Sequence, residues 1–121
     1  MNKTSVQIRP RLRVMVGRNI ALGPGKAQLL ELLDKTGSIT KAAQEMEMSY
    51  MRAWTLIRTM NRCFKKPIVV STHGGAHGGG GATLTEAGRR ILALYQRMDS
   101  QCQRAVRLSG KRLETLLKRD A

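Results

Sequence analysis

A mainly α-helical α+β fold with one small β-hairpin is the architecture this sequence predicts, and three observations carry it. Apolar residues recur at three- and four-residue spacing over most of the chain beyond Lys26. The strand-like runs are short, IRPRLRVMVG at 8–17 and IVVS at 68–71. Between the second of these and the last helical segment lies HGGAHGGGGATLT at 73–85, which holds half of the 12 glycines. With 121 residues the chain is sized for one domain with one core. That domain is expected to have two parts, residues 1–85 and a long helix with a basic C-terminal segment at 86–121.

The elements follow in order. Residues 8–17 alternate basic and apolar side chains, Arg11-Leu12-Arg13-Val14, which predicts a strand with one face buried. Gly23-Pro24-Gly25 punctuates, and KAQLLELLDKTGS then reads as a first helix stopped by Gly37. Ser38 caps a second helix, ITKAAQEM, and Glu47-Met48 makes a tight turn. Ser49 caps a third helix that runs to about Phe64, with Ala53, Ile57, Met60 and Phe64 as its buried stripe. Trp54 neighbours that stripe and reads as packing. Arg52, Thr55, Thr59 and Arg62 repeat at the same spacing on a polar face. Pro67 closes the helical region before IVVS. Thr85 caps a last long helix carrying Ala87, Ile91, Leu94, Tyr95, Met98, Cys102 and Ala105. Gly110 is expected to break it, with KRLETLLKR as a short further helix. Aromatics make up only 3% of the chain, so its seven methionines are expected to fill core volume.

Charge narrows the function. The chain carries 22 Lys+Arg against 8 Asp+Glu, a formal net charge of +14. Such a surface attracts polyanions, nucleic acid first and an anionic membrane surface second. No acid lies between Met48 and Thr85, a stretch holding Arg52, Arg58, Arg62, Lys65 and Lys66, and none precedes Glu31. No run is long and apolar enough for a membrane span, and no secretory leader is visible at the N-terminus. Cys63 and Cys102 sit in helical segments, which argues against a disulfide framework and fits a cytoplasmic protein.

Residues 38–57, SITKAAQEMEMSYMRAWTLI, have the layout of a helix-turn-helix. Ala42-Ala43 supply small residues where the two helices touch, Met48 an apolar plug after the turn, and Ser49 the cap of the second helix. That helix would enter the major groove with its N-terminal half near base edges. Ser49, Tyr50, Arg52, Thr55 and Thr59 are the candidate readers, with Ser38 and Thr40 at the start of the preceding helix also placed toward DNA. Arg52 is the natural guanine reader, because its guanidinium pairs with two acceptors at once. Arg62, Lys65 and Lys66 suit phosphates. Placed after a helix-turn-helix, the glycine-rich stretch reads as a wing, with His73, Gly74, Gly75, His77, Gly78 and Gly79 along the DNA backbone. A nucleotide phosphate loop would need Gly-Lys-Ser/Thr, and no lysine lies between Lys66 and Lys111. A metal site from His73, His77 and Cys63 lacks a paired motif, so no metal is expected. Paired catalytic carboxylates and triad partners are absent from the pattern, and no enzyme is expected.

Taken together, GSITKAAQEMEMSYMRAWTLIRTMN followed by GGAHGGGGATLTEAGRRILALY resembles the N-terminal DNA-binding domain of the ModE family of molybdate-responsive transcriptional regulators. The combination is specific: Ser49, Tyr50, Ala53 and Trp54, then Met60-Asn61, the glycine-rich stretch, and Leu84-Thr85-x-x-Gly88. The resemblance covers roughly residues 10–100, and more distantly the chain is similar to LysR-type DNA-binding domains. It implies a winged helix-turn-helix that dimerises through its N-terminal strand and long last helix on a palindromic operator. The apolar seam of the last helix independently asks for a partner. Leu12, Val14, Ile91, Leu94, Tyr95, Met98, Cys102 and Ala105 are the expected dimer contacts. The family's molybdate-binding domains would follow the last helix, and the sequence stops at Ala121. No cofactor is therefore expected, and molybdate sensing does not carry over from the resemblance. The start at Met1 and the basic tail favour a natural single-domain relative over a shortened piece. Glu47 stands where such turns often have glycine, which implies a different turn or modest strain. The alternative reading is a non-specific architectural protein coating DNA, which the same charge would support.

Overall fold

The computed structural model describes residues 4–72 and 81–118. Its elements run β1 (Val14–Val16), β2 (Asn19–Leu22), α1 (Pro24–Thr36), α2 (Ile39–Glu45), α3 (Tyr50–Cys63), β3 (Val69–Ser71), β4 (Ala82–Leu84), α4 (Glu86–Ala105) and α5 (Arg107–Glu114). The strands form two separate antiparallel pairs, β1 with β2 and β3 with β4. This is a winged helix-turn-helix with a small β component, the fold class expected.

The first strand is shorter than the alternation suggests. Within 8–17 only Val14–Val16 is paired, and the register slips between Val14 and Met15. Residues 8–13 have no neighbouring strand among the described residues, and Pro10 has no amide to offer one. The partner, β2, follows a two-residue hairpin turn at Gly17-Arg18, which falls at the end of the run expected to be a single strand. Gly17 takes φ 60°, which glycine adopts without a Cβ penalty.

Caps set the helix boundaries. Pro24 begins α1 two residues before Lys26, because a proline in the first turn lacks only an amide that has no helical partner. Gly37 ends α1 in the left-handed conformation, φ 66°, with its amide donating to the Leu33 carbonyl at 2.8 Å. The Ser38 hydroxyl accepts from the Lys41 amide and the Ser49 hydroxyl from the Arg52 amide, at 3.1 and 3.0 Å. The Thr85 hydroxyl does the same for Gly88 at 3.0 Å. Between α2 and α3, Glu47 takes φ 55°, the left-handed conformation that glycine would hold freely. The Met48 amide donates to the Ala43 carbonyl at 3.0 Å and closes the turn. The strain anticipated at Glu47 is therefore real, at about 1 kcal/mol.

The core is aliphatic. Leu22, Leu29, Leu30, Leu33, Ile39, Ile57, Met60, Ile68 and Leu84 are its largest fully buried side chains. Ala42, Ala43 and Ala53 let α2 and α3 approach closely. Trp54 packs against this cluster, as its place beside the stripe required. The methionines do not carry the core: Met60 is buried and Met46 and Met48 pack at the edge, but Met15, Met51 and Met98 are exposed. Leucine does that work instead.

Gly110 does not break the last helix. The interruption falls at Val106, and Gly110 lies inside α5. Its reason is contact, since a Cβ there would sit 2.6 Å from Ile8 Cδ1. The N-terminal segment thus lies along α5, and it is pinned again where the Tyr95 hydroxyl donates to the Leu12 carbonyl at 2.8 Å.

Candidate nucleic-acid interface

The third helix is oriented by three constraints. Ser49 caps its start, Ala53, Ile57 and Met60 bury one side, and Asn61 ties its end to β3. The Asn61 Oδ1 accepts from the amides of Ile68 and Val69 at 2.8 and 3.2 Å, and its Nδ2 donates to the Val69 carbonyl at 3.0 Å. No strand neighbour makes these bonds, so one amide side chain substitutes for a missing ladder. Asn61 is among the residues that carry the resemblance, but no local pattern indicates this role.

The side of α3 opposite the buried stripe carries Met51, Thr55, Arg58 and Arg62, all exposed and spaced four, three and four residues apart. Four residues at that spacing share one face of a helix. The face predicted from sequence, Arg52, Thr55, Thr59 and Arg62, overlaps this one but is rotated off its centre. Arg52 is exposed at one edge and Thr59 is half-buried. Met51 and Arg58 were missed, although counting outward from Ala53 and Ile57 would have found them. Tyr50 is half-open at the tip of the helix, 41% exposed.

The two threonines are not free donors. Thr55 Oγ1 donates to the Met51 carbonyl at 2.8 Å, and Thr59 Oγ1 to the Thr55 carbonyl at 2.9 Å. Their hydroxyl protons are used inside the helix, and what they offer outward is acceptor capacity. Facing DNA, they suit the amino groups of cytosine or adenine rather than carbonyl edges. Ser38 and Ser49 likewise spend their oxygens on caps, while Thr40 is exposed beside them.

Cations surround this face. Arg52, Arg58, Arg62, Lys65 and Lys66 are all exposed. Lys26 joins them from α1. Its ammonium is half-buried and donates to the Ile20 carbonyl. Burial pushes its pKa below the ordinary lysine value; nearby Cys63 pulls it back up and the neighbouring Arg52 guanidinium pushes it down. The first helix therefore delivers a positive charge beside the candidate guanine reader.

The hairpin that follows is anchored at its base. Strands β3 and β4 pair Val69 with Leu84, Val70 with Thr83 and Ser71 with Ala82. The Thr72 amide donates to the Gly81 carbonyl at 3.0 Å, and the Ala82 amide to the Gly37 carbonyl at 3.2 Å. Gly81 also bridges Ser38. The wing residues His73, Gly74, Gly75, His77, Gly78 and Gly79 lie outside the described residues. Among the described residues no group of His, Cys, Asp and Glu is arranged to hold a metal ion, and no helix is long and apolar enough to cross a membrane.

The expected dimer contacts divide. Leu94 and Met98 are 53% and 38% exposed, Ala105 is exposed, and Ile91 and Cys102 are half-buried. Leu12 and Val14 are half-buried and pack on the core of their own chain. Tyr95 differs from its expected place. Its ring is buried in that core, its hydroxyl proton is donated to Leu12, and only 4% of the residue is exposed to a partner. Its spacing matched the seam, but it falls on the flank that turns inward with Leu92.

The chain matches known proteins over this same region. The family described as bacterial regulatory helix-turn-helix protein, lysR family, matches residues 26–89. The molybdenum transport protein ModE of Azotobacter vinelandii is 36% identical over 110 residues, 91% of this chain and 40% of that protein. The molybdenum-pterin-binding protein MopB of Rhodobacter capsulatus is 40% identical over 74 residues, 61% of this chain and 27% of that one. The DNA-binding transcriptional dual regulator ModE of Escherichia coli K12 is 33% identical over 94 residues, 78% of this chain and 36% of that one. The chain thus spans well under half the length of the curated relatives it matches. Helix-turn-helix, hairpin base and basic face coincide with the matched segment, and the chain belongs to the lysR family of bacterial regulatory helix-turn-helix proteins, which are DNA-binding transcriptional regulators rather than enzymes.

Proposed function

We propose that this chain reads a palindromic DNA operator as a homodimer, acts on transcription in the cytoplasm, and serves molybdenum homeostasis. The observation that carries the sequence-reading part is the exposed face of α3, where Met51, Thr55, Arg58 and Arg62 stand clear of the core between cations. Arg52, at its edge, reads guanine, and Lys65 and Lys66 hold phosphates. His73, Gly74, Gly75, His77, Gly78 and Gly79, outside the described residues, are proposed to contact the DNA backbone. Two copies meet along α4 through Leu94, Met98 and Ala105, with Ile91, Cys102, Leu12 and Val14 at the margins. Such a dimer sets two recognition helices about 34–36 Å apart, one turn of DNA, or a multiple of it. The molybdenum link rests on the names of the relatives, and no residue of this chain is assigned to an oxyanion.

The test is selection of bound duplexes from a random pool at near-physiological salt, with and without molybdate. A recovered palindrome supports a dimeric sequence reader. Strong binding with no enriched motif would instead favour the architectural reading, which the net charge of +14 also suits. Enrichment that changes with molybdate would place a sensor within this chain.

A further inference from the structure

Met51 has no role in the fold. It belongs neither to the buried core nor to the half-buried side chains packed on it, whereas Met46, Met48 and Met60 do. It is 65% exposed in the first turn of α3, on the centre of the outward face. Every other side chain on that stripe is polar or cationic: Thr55, Arg58 and Arg62. An unbranched apolar side chain there meets the bottom of the groove rather than water once DNA is bound.

We propose that Met51 is a specificity residue that packs on the 5-methyl group of a thymine in the major groove. This rests on the reading of α3 as the recognition helix. The major groove presents one apolar feature, the thymine methyl, and apolar side chains select it. Met51 adapts to it because a thioether chain has three rotatable bonds and no polar atom that needs a strong partner. Thr55, one turn on, is held by its bond to the Met51 carbonyl and offers an acceptor. The pair fits a thymine beside a base with an exocyclic amine. Each half-site then contains a thymine whose methyl group, and not only its pairing, is read.

Deoxyuridine replaces thymine with loss of that methyl alone, so it isolates the contact. The experiment takes the duplex recovered by selection with the wild-type chain and replaces each thymine singly with deoxyuridine. Affinities are measured for the wild type and for Met51→Ala. Loss of one buried methyl corresponds to about a fourfold weakening. The expected result is one thymine per half-site at which deoxyuridine weakens the wild type by about that factor and leaves Met51→Ala unchanged. Equal weakening of both proteins, or no position sensitive to deoxyuridine, would overturn the proposal while leaving the recognition helix standing. If selection yields no motif at all, sequence reading itself fails. Met51 is exposed, so Met51→Ala should melt with the wild type, and its circular dichroism is the check that only the contact was lost.

Discussion

Replacing Asn61 with alanine should cost more than any other single polar change in the described chain. The side chain satisfies two amides and one carbonyl, those of Ile68 and Val69, at 2.8–3.2 Å. Ile68 and Val69 are themselves buried, so water reaches their backbone poorly. A buried backbone group left without a partner costs about 1–3 kcal/mol. Asn61 is half-buried, which allows partial relief, and the three together should amount to about 2–4 kcal/mol. For a domain of this length that is a fall in Tm of about 8–16 °C. Asn61→Asp keeps both acceptor bonds and loses only the donor to Val69, so it should fall between alanine and wild type. Thermal unfolding followed by circular dichroism measures all three. An alanine variant within about 0.5 kcal/mol of wild type, or an aspartate variant no better than alanine, would refute the idea that this side chain stands in for a missing strand.

Gly88→Ala should destabilise by about 3 kcal/mol, since its Cβ would lie 2.1 Å from the Ile68 carbonyl oxygen, which is backbone and cannot turn aside; denaturant midpoints would show it. Arg52→Ala should cost about 1–3 kcal/mol on the selected sequence and little elsewhere, while Lys65→Ala should weaken every duplex alike and lower the salt slope by about 1; titrations at several salt concentrations separate the two. Burial, with Asp99 nearby, raises the Tyr95 pKa above the ordinary phenol value. The group therefore stabilises the fold fully below about pH 10 and loses that contribution as pH rises through its folded value. Tyr95→Phe should lack this alkaline loss while being less stable at neutral pH, because the bond to Leu12 is gone. Arg90, Arg97 and Arg104, exposed at seven-residue intervals along α4, would repel their copies in the proposed dimer. Self-association measured by sedimentation should therefore strengthen with added salt, opposite to DNA binding, and weakening would count against pairing along α4.

Much of this was legible in the sequence because it depends on local chemistry. The caps at Ser38, Ser49 and Thr85, the stop at Gly37 and the stripe Ala53, Ile57 and Met60 of α3 follow from short-range rules, and the structure places them; Phe64, expected to continue the stripe, is half-buried just past the end of the helix. What stayed hidden depends on distant partners. The β1–β2 hairpin needs Asn19–Leu22 to fold back on Val14–Val16 across Gly17-Arg18, a pairing that alternation within 8–17 does not contain. Tyr95 keeps the seam's spacing but lies on the flank of α4 that is buried with Leu92, where its hydroxyl meets the carbonyl of Leu12, 83 residues away. Gly110 looks like a breaker only until Ile8 is found against it. The role of Asn61 needs the approach of β3, which no local pattern contains. On α3 the difference is one of phase: the stripe Arg52, Thr55, Thr59 and Arg62 follows residue type, whereas the exposed face is Met51, Thr55, Arg58 and Arg62.

These hidden contacts form a closed circuit around the reading face. Asn61 fixes the end of α3 to β3, and β3 pairs with β4. Ala82 and Gly81 then bond back to Gly37 and Ser38, at the junction that begins α2. From there α2 and the strained turn at Glu47 lead to the cap of α3 at Ser49. A recognition helix must hold its angle within about 10–20° for side chains to meet base edges. The circuit supplies that constraint from both ends of α3 without using any residue of its outward face. Met51, Arg58 and Arg62 are thereby free of structural duty, and Thr55 is engaged only with its own helix. Substitutions in the circuit should lower stability and affinity for all sequences together. Substitutions on the face should change which sequence is preferred and leave Tm where it was. The two kinds of residue are separable because the circuit and the outward face of α3 share no residue.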